Sequence, residues 1–226
     1  MAREIEIHLK ETGPEIARMI MKRIAVRANS AIGKLVLTGR SALKQFVQQA
    51  ILDSPEMRSL SGGKLQAQLG LRPGQAGQVP IEIATAVADS IELIRRPVAF
   101  KTNDIRGGLS ISIQPTDYKN LLGIDGSTTT YFSKYYKKMV TLDWLDWLVR
   151  RGDEIIVAGF YVSYGAHGRS GKAKMKKSSG GIFKVSAEYS GTISDNFISR
   201  ALNDPSVRNS LLKVMNKLLN ENFAGK

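Results

Sequence analysis

The densest candidate chemistry in this sequence lies between Gly165 and Lys177. The octapeptide Ala166-His167-Gly168-Arg169-Ser170-Gly171-Lys172-Ala173 follows an apolar run and approaches the phosphate-loop pattern G-x-x-x-x-G-K-[ST]. It departs at both ends. Ala166 stands where the first glycine belongs, and Ala173 stands where a hydroxyl would hold magnesium. The next residues, Lys174-Met175-Lys176-Lys177-Ser178, are no helix opening, so the anion-binding helix N-terminus is missing too. A serine-hydrolase triad needs Ser, His and a carboxylate to converge. The only histidines are His8 and His167, and no G-x-S-x-G elbow is present. Two histidines and no cysteine leave little for a zinc site. Asp153 and Glu154 are adjacent, so on a strand they would face opposite ways, poor geometry for a paired acid and base. Their expected role is a solvated rim or a helix-end salt bridge. The residues argue against an enzyme, and no catalytic, cofactor-binding or metal-binding set is expected.

What remains is charge. Residues 165–181 are rich in Gly, Ser and Lys and carry Arg169, Lys172, Lys174, Lys176 and Lys177 with no acid. Read as an extended loop closing a hairpin, the segment would present point charges on a pliable backbone. Such a loop suits a phosphate backbone or an acidic partner. It has no base-reading feature, so any contact with DNA would be sequence-independent and salt-sensitive. The alternative is an exposed loop with no partner. The whole 226-residue chain agrees in sign: 33 Lys and Arg against 20 Asp and Glu give a net charge of +13, which favours polyanionic partners. Aromatics are 7% and are not interleaved with the basic run, which argues against a base-stacking platform.

The elements that position this segment can be read along the chain. Residues 4–10 alternate Ile5, Ile7 and Leu9 with polar residues, which predicts a short strand or extended arm within 1–11. Thr12-Gly13-Pro14-Glu15 is a helix start with a capping box. The helical pattern runs to Asp53, either as one long helix with a weak middle or as two broken near Ser30 to Arg40, where Gly33 and Gly39 fall. Ser54-Pro55 starts a short helix, and Lys64 to Leu69 is another, stopped at Gly70. Arg72 to Gly77 reads as loop, with Pro80 opening the next helix. Val98 to Phe100 and Leu109 to Ile113 read as strands about a turn at Asn103 to Gly108. Asp117 to Met139 reads mostly as loop. A helix over Leu142 to Arg151, a strand over Glu154 to Tyr164 and a second over Ile182 to Ala187 follow. Ser190-Gly191-Thr192 turns into an amphipathic helix, and Asp204-Pro205-Ser206 starts the last one, with Val207, Leu211, Val214, Met215 and Leu218 as its apolar face. The expected fold class is α+β: one antiparallel sheet with a long, possibly broken, N-terminal helix and C-terminal helices packed on it. Residues 12–226 would form a single domain after the arm. Trp144, Trp147 and Leu148 share a helical face that belongs in a core or a subunit interface. No apolar run reaches the length of a membrane span, and residues 1–13 have no apolar core segment of a secretory signal.

The order of motifs carries a resemblance. Trp144-Leu145-Asp146-Trp147-Leu148 is followed by Arg151-Gly152-Asp153-Glu154-Ile155-Ile156-Val157. Then come the Gly/Ser/Arg segment ending at Met175, a strand with an aromatic from Ile182 to Val185, and Gly191-Thr192 leading into Asn196-Phe197-Ile198-Ser199-Arg200-Ala201-Leu202. Ser59 to Leu71 and Gly107 to Ile111 extend the series, which covers about residues 54–202. This series resembles the neck and tail-completion proteins of tailed bacteriophages. The resemblance implies a structural virion protein at the head–tail junction, present in the host cytoplasm during assembly. It implies a homo-oligomeric ring, six- or twelve-fold, contacting head–tail connector and tail proteins around a channel for genomic DNA. Within it, Phe197 and Ile198 would pack their helix on the sheet, and the basic residues 169–177 would face the channel or the next ring. The competing expectation is a standalone, sequence-nonspecific nucleic-acid-binding protein.

Overall fold

The computed structural model describes residues 12–102, 104–113, 117–133 and 137–224. Along the chain come α1 (Gly13–Thr38), α2 (Arg40–Leu52), α3 (Pro55–Gly62), α4 (Lys64–Leu69), α5 (Pro73–Asp89), β1 (Glu92–Lys101) and β2 (Asp104–Ser112). They are followed by α6 (Lys119–Leu122), a 3-10 turn at Asp125–Ser127, β3 (Thr129–Ser133), β4 (Lys138–Leu142) and α7 (Leu145–Val149). The last elements are β5 (Val157–Tyr164), β6 (Ala173–Phe183), α8 (Phe197–Asn203) and α9 (Pro205–Ala224). The fold is α+β with antiparallel strand pairs, as the periodicities predict. Among the described residues the strands are distributed over three two-stranded sheets, β1–β2, β3–β4 and β5–β6. The alternating segment 1–11 lies outside the described residues.

The chain forms two compact units. The first holds residues 1–40, 93–111 and 215–226. Its helix α1 starts as the sequence directs: the Glu15 carboxylate accepts from the N–H and the hydroxyl of Thr12, at 2.8 and 2.9 Å. Gly33 is absorbed into the helix and the break falls at Gly39. A Cβ there would stand 2.8 Å from the backbone oxygen of Leu35 and 2.6 Å from its Cδ1, so any residue but glycine must displace the helix backbone. Ala25 and Ile32 of α1 pack with Val98 of β1, and Ala28, Val36, Ile105, Leu109 and Leu219 close around them. Asn29 fastens the pair. It accepts from Val98 N–H at 2.8 Å and donates to Val98 O at 2.6 Å. The β1–β2 turn lies at Thr102, which takes a left-handed φ of 49°. Asp104 to Gly108, expected in the turn, are therefore part of β2. Gly107 crosses Pro97 and Val98 at backbone contact, where a Cβ would sit 2.7 Å from Val98 Cα.

The second unit holds residues 41–92 and 112–214. Short helices α3 and α4 form where predicted, and Gly70 ends α4 in the left-handed conformation, φ 67°. The segment expected as loop, Arg72 to Gly77, is instead the N-cap and the start of α5, and Pro80 lies inside that helix. Pro73 at the first helical position pre-sets the start. A buried stripe of Ala76, Val79, Pro80, Ile83, Ala84 and Val87 repays the hydrogen bond that Pro80 cannot make. Asp117 to Met139, expected mostly as loop, instead contain α6 and most of the β3–β4 hairpin, which is paired from Thr129↔Leu142 to Ser133↔Lys138. That hairpin takes Leu142 into β4, so the tryptophan helix is only Leu145–Val149. The part of α9 that belongs to this unit has Val207, Leu211 and Val214 half-buried, while Met215, buried, and Leu218, half-buried, belong to the first unit.

Candidate interaction surface on the basic hairpin

The basic segment is built differently from the extended loop expected over 165–181. β6 begins at Ala173, so only Gly165 to Lys172 connect the strands. That connection is ordered by its own backbone. Gly165 N–H donates to Lys172 O at 2.9 Å, His167 N–H to Gly165 O at 2.7 Å, and Gly171 N–H to Gly168 O at 3.2 Å. Gly165, Gly168 and Gly171 all have positive φ. A His167 ring nitrogen lies 2.9 Å from Ser163 O, and the buried Ser170 hydroxyl accepts from Lys172 N–H at 3.2 Å. The signal for a longer strand was present in the alternation Ala173, Met175, Lys177 against Lys174, Lys176. The lysines and glycines obscured it.

The five cations have two fates. Arg169 Nε donates to Gly70 O at 3.0 Å, and Lys172 Nζ donates to Gly62 O at 2.5 Å. Both close the C-terminal ends of helices, α4 and α3, where a cation also meets the negative end of the dipole. Burial, with the like charge of Arg72 next, lowers the pKa of Arg169. Lys172 therefore does not occupy a phosphate-loop lysine's place, and the octapeptide opens a strand. Lys174, Lys176 and Lys177 are the other class. They are exposed, and among the described residues their ammonium groups have no hydrogen-bond or ion-pair partner. Register sets their faces: Lys174 pairs with Ser163 and Lys176 with Tyr161, while Lys177 pairs with Phe160 on the opposite face. Beyond Lys177 the register slips between Ala158 and Phe160, with Ser178 to Gly181 bulging opposite Gly159. A cleft of about 210 Å³ between α4 and the hairpin is lined by Leu69, Gly70, Val162, Arg169 and Met175. It is smaller than the roughly 300–1,000 Å³ usual for small-molecule pockets.

The aromatic motif lies in the core of the second unit. Trp144, Leu148 and Phe197 are fully buried, and Trp147 and Ile198 nearly so. The Arg151 guanidinium stacks on the Trp147 ring, 4.7 Å from its centroid. Asp146, buried one residue earlier, accepts from Arg150 Nε and Arg151 Nε, one on each carboxylate oxygen, both at 2.5 Å. Asp153 pairs with Lys184 at 2.8 Å and Glu154 with Arg151 at 3.8 Å, all four side chains remaining well exposed. Among the described residues no cluster of His, Cys, Asp and Glu could hold a metal ion, and no helix is long and apolar enough to cross a membrane.

Sequence reasoning missed the buried polar residues that fix this motif. Asn196, fully buried, caps α8 through its carbonyl oxygen, accepting from Ile198 and Ser199 N–H at 3.1 and 3.2 Å. Its amide donates to the Tyr118 hydroxyl at 2.7 Å and to Thr192 O at 2.9 Å. Arg200 reaches buried Glu56 at 3.1 Å and Asp195 at 2.9 Å, and donates to Ser190 O at 2.9 Å. An Asn directly before an apolar helix was a legible cap signal. The Glu56–Arg200 pair, 144 residues apart, has no local signature. Compared with known proteins, the chain matches no family model, no curated protein and no solved structure.

Proposed function

We propose that this chain is a structural virion protein of a tailed bacteriophage. It forms a homo-oligomeric ring at the neck or tail-completion position, joins the head to the tail, and surrounds the channel through which DNA passes. The observation that carries the proposal is the ordered motif series from Ser59 to Leu202. Two features support it. The motif side chains Trp144, Trp147, Leu148, Phe197 and Ile198 are packed as scaffold and do not converge on a reactive site. The hairpin presents Lys174 and Lys176 unpaired on one face and Lys177 unpaired on the other, available to DNA or a neighbouring ring. The test is purification of the chain, sedimentation and negative-stain imaging, alone and with tail tubes. Rings or ring-capped tubes are expected. A persistently monomeric protein that is also absent from purified virions would sink the proposal.

The free lysines and the net charge of +13 favour one second reading, a standalone nucleic-acid-binding protein without sequence preference. A salt titration on unrelated duplexes distinguishes it. That reading requires measurable affinity at low salt in a monomer, falling uniformly across sequences when Lys174, Lys176 and Lys177 are changed to Gln.

A further inference from the structure

Helix α1 has two apolar faces, and the first unit uses only one. Ala25, Ala28, Ile32 and Val36 point into its core. On another side Met19, Val26 and Leu37 recur at intervals of 7 and 11 residues, a spacing that returns to the same face of a 3.6-residue helix. They are 48, 70 and 83% exposed. Arg23, Ser30 and Gly33 fill the positions between them, completing the three-and-four spacing of a helix-packing ridge. The Arg95 guanidinium lies beside Gly33 and adds a cation to the same stripe.

The charge around this stripe says what would cover it. The described residues of the first unit hold eleven Lys and Arg against three Asp and Glu, a net charge of +8. Lys22, Arg23 and Lys34 of α1 have no ion-pair partner among the described residues. A phosphate backbone would neutralise these cations but leave three large apolar side chains in water. The same face of a second copy would set Lys22, Arg23 and Lys34 against like charges. Cations flanking an apolar ridge select a partner ridge flanked by carboxylates, as the flanking positions of a coiled coil do. We propose that the outer face of α1 docks a helix of a different protein, one with an apolar stripe bordered by Asp and Glu.

The test uses the full chain and three synthetic peptides of about six helical turns. One carries a leucine stripe bordered by glutamates, the second has lysines for the glutamates, and the third has serines for the leucines. Fluorescence anisotropy should show binding of the first peptide only, weakening with salt. Val26→Asp with Leu37→Asp should weaken it tenfold or more, and hydrogen-exchange protection should appear across residues 19–37. Circular dichroism checks that the variant folds. If it does not, Arg23→Glu with Lys34→Glu carries the test and should transfer preference to the lysine-bordered peptide. Four results would overturn the proposal: no binding of the glutamate peptide, equal binding of the lysine peptide, self-association of the chain lost in Val26→Asp with Leu37→Asp, or binding to phosphatidylglycerol vesicles that the glutamate peptide does not displace.

Discussion

Arg169 holds Gly70 by its backbone: Nε donates to the glycine carbonyl at 3.0 Å across 99 residues of sequence. A side chain that the sequence marks as a candidate DNA contact is thus the closing bond of a helix, and Lys172 does the same for α3. The five cations separate by experiment. Arg169→Gln and Lys172→Gln should each lower unfolding stability by about 0.5–2 kcal/mol, the scale of a charge-assisted bond to otherwise open helix carbonyls. They should leave the elution salt on heparin nearly unchanged. Lys174→Gln with Lys176→Gln should do the reverse, eluting at lower salt with the urea midpoint unmoved. The same response from both sets would contradict the division.

Asn196 and Tyr118 provide a second separation. The Asn196 carbonyl caps α8 while its amide donates to Tyr118 and Thr192. Asn196→Asp keeps the acceptor that the cap needs but loses both donors and buries a charge. Asn196→Ala loses both functions. A lost N-cap costs about 0.5–2 kcal/mol, and a buried partner left unpaired costs about 1–3 kcal/mol. Asn196→Ala should therefore lose about 2–4 kcal/mol in denaturant unfolding. If capping alone mattered, Asn196→Asp would match the native protein. A loss of at least 1 kcal/mol is the expectation, from the Thr192 carbonyl left without its donor and from the buried carboxylate, since the Tyr118 hydroxyl still donates to Ile193 O at 3.1 Å.

These two residues also mark how far the sequence reaches. Caps, breakers and amphipathic spacing located α1, α3, α4 and α9 closely, because each signal lies within a few residues of its effect. Pro80 misled because a missing backbone bond is local whereas the buried stripe that offsets it is tertiary. Leu142 and the hairpin before it were hidden because Thr, Gly and Lys weaken period-two alternation. At the candidate surface the identity of the five cations was legible but their roles were not. Whether a lysine meets water or a helix end 110 residues away, as Lys172 meets Gly62, is decided by packing.

Gly191 should tolerate nothing larger. Its N–H donates to Trp147 O at 3.0 Å and its carbonyl accepts from Gly152 N–H at 2.8 Å, which draws the chain onto α7. A Cβ at this position would press into the Leu148 backbone and stand 2.7 Å from Asn196 Cβ. Gly191→Ala must displace backbone and not a flexible side chain, so a loss of about 1–3 kcal/mol is expected, as for overpacking in a core. Gly74→Ala, where a Cβ meets open space in the first turn of α5, is the control and should be neutral or slightly stabilising. Thermal unfolding of the two variants side by side checks the contrast. Equal midpoints would mean that the α7 contact yields more easily than its geometry indicates.

Acid stability should report on Asp146. Burial alone would raise its pKa, but the hydrogen bonds and charges of Arg150 and Arg151 outweigh burial and hold the carboxyl below its usual value. A group with a depressed folded pKa stabilises the fold above its unfolded pKa of about 3.9, and that contribution disappears as pH falls through the folded value. Asp146→Asn cannot accept from both guanidinium Nε groups, since one oxygen is replaced by a donor. Because both arginines keep access to water, the cost at neutral pH should be about 1–3 kcal/mol. The cost should shrink as pH falls below about 4, where the unfolded carboxyl begins to protonate, and the two proteins converge only at lower pH, once the native carboxyl protonates as well. Asp117, Asp153, Asp195 and Asp204 are also depressed and contribute equally to both proteins, so the difference between the two stability curves isolates Asp146. Urea midpoints measured from neutral pH downward give that difference. A gap that stayed constant or widened on acidification would show that Asp146 is not held ionised by its two arginines.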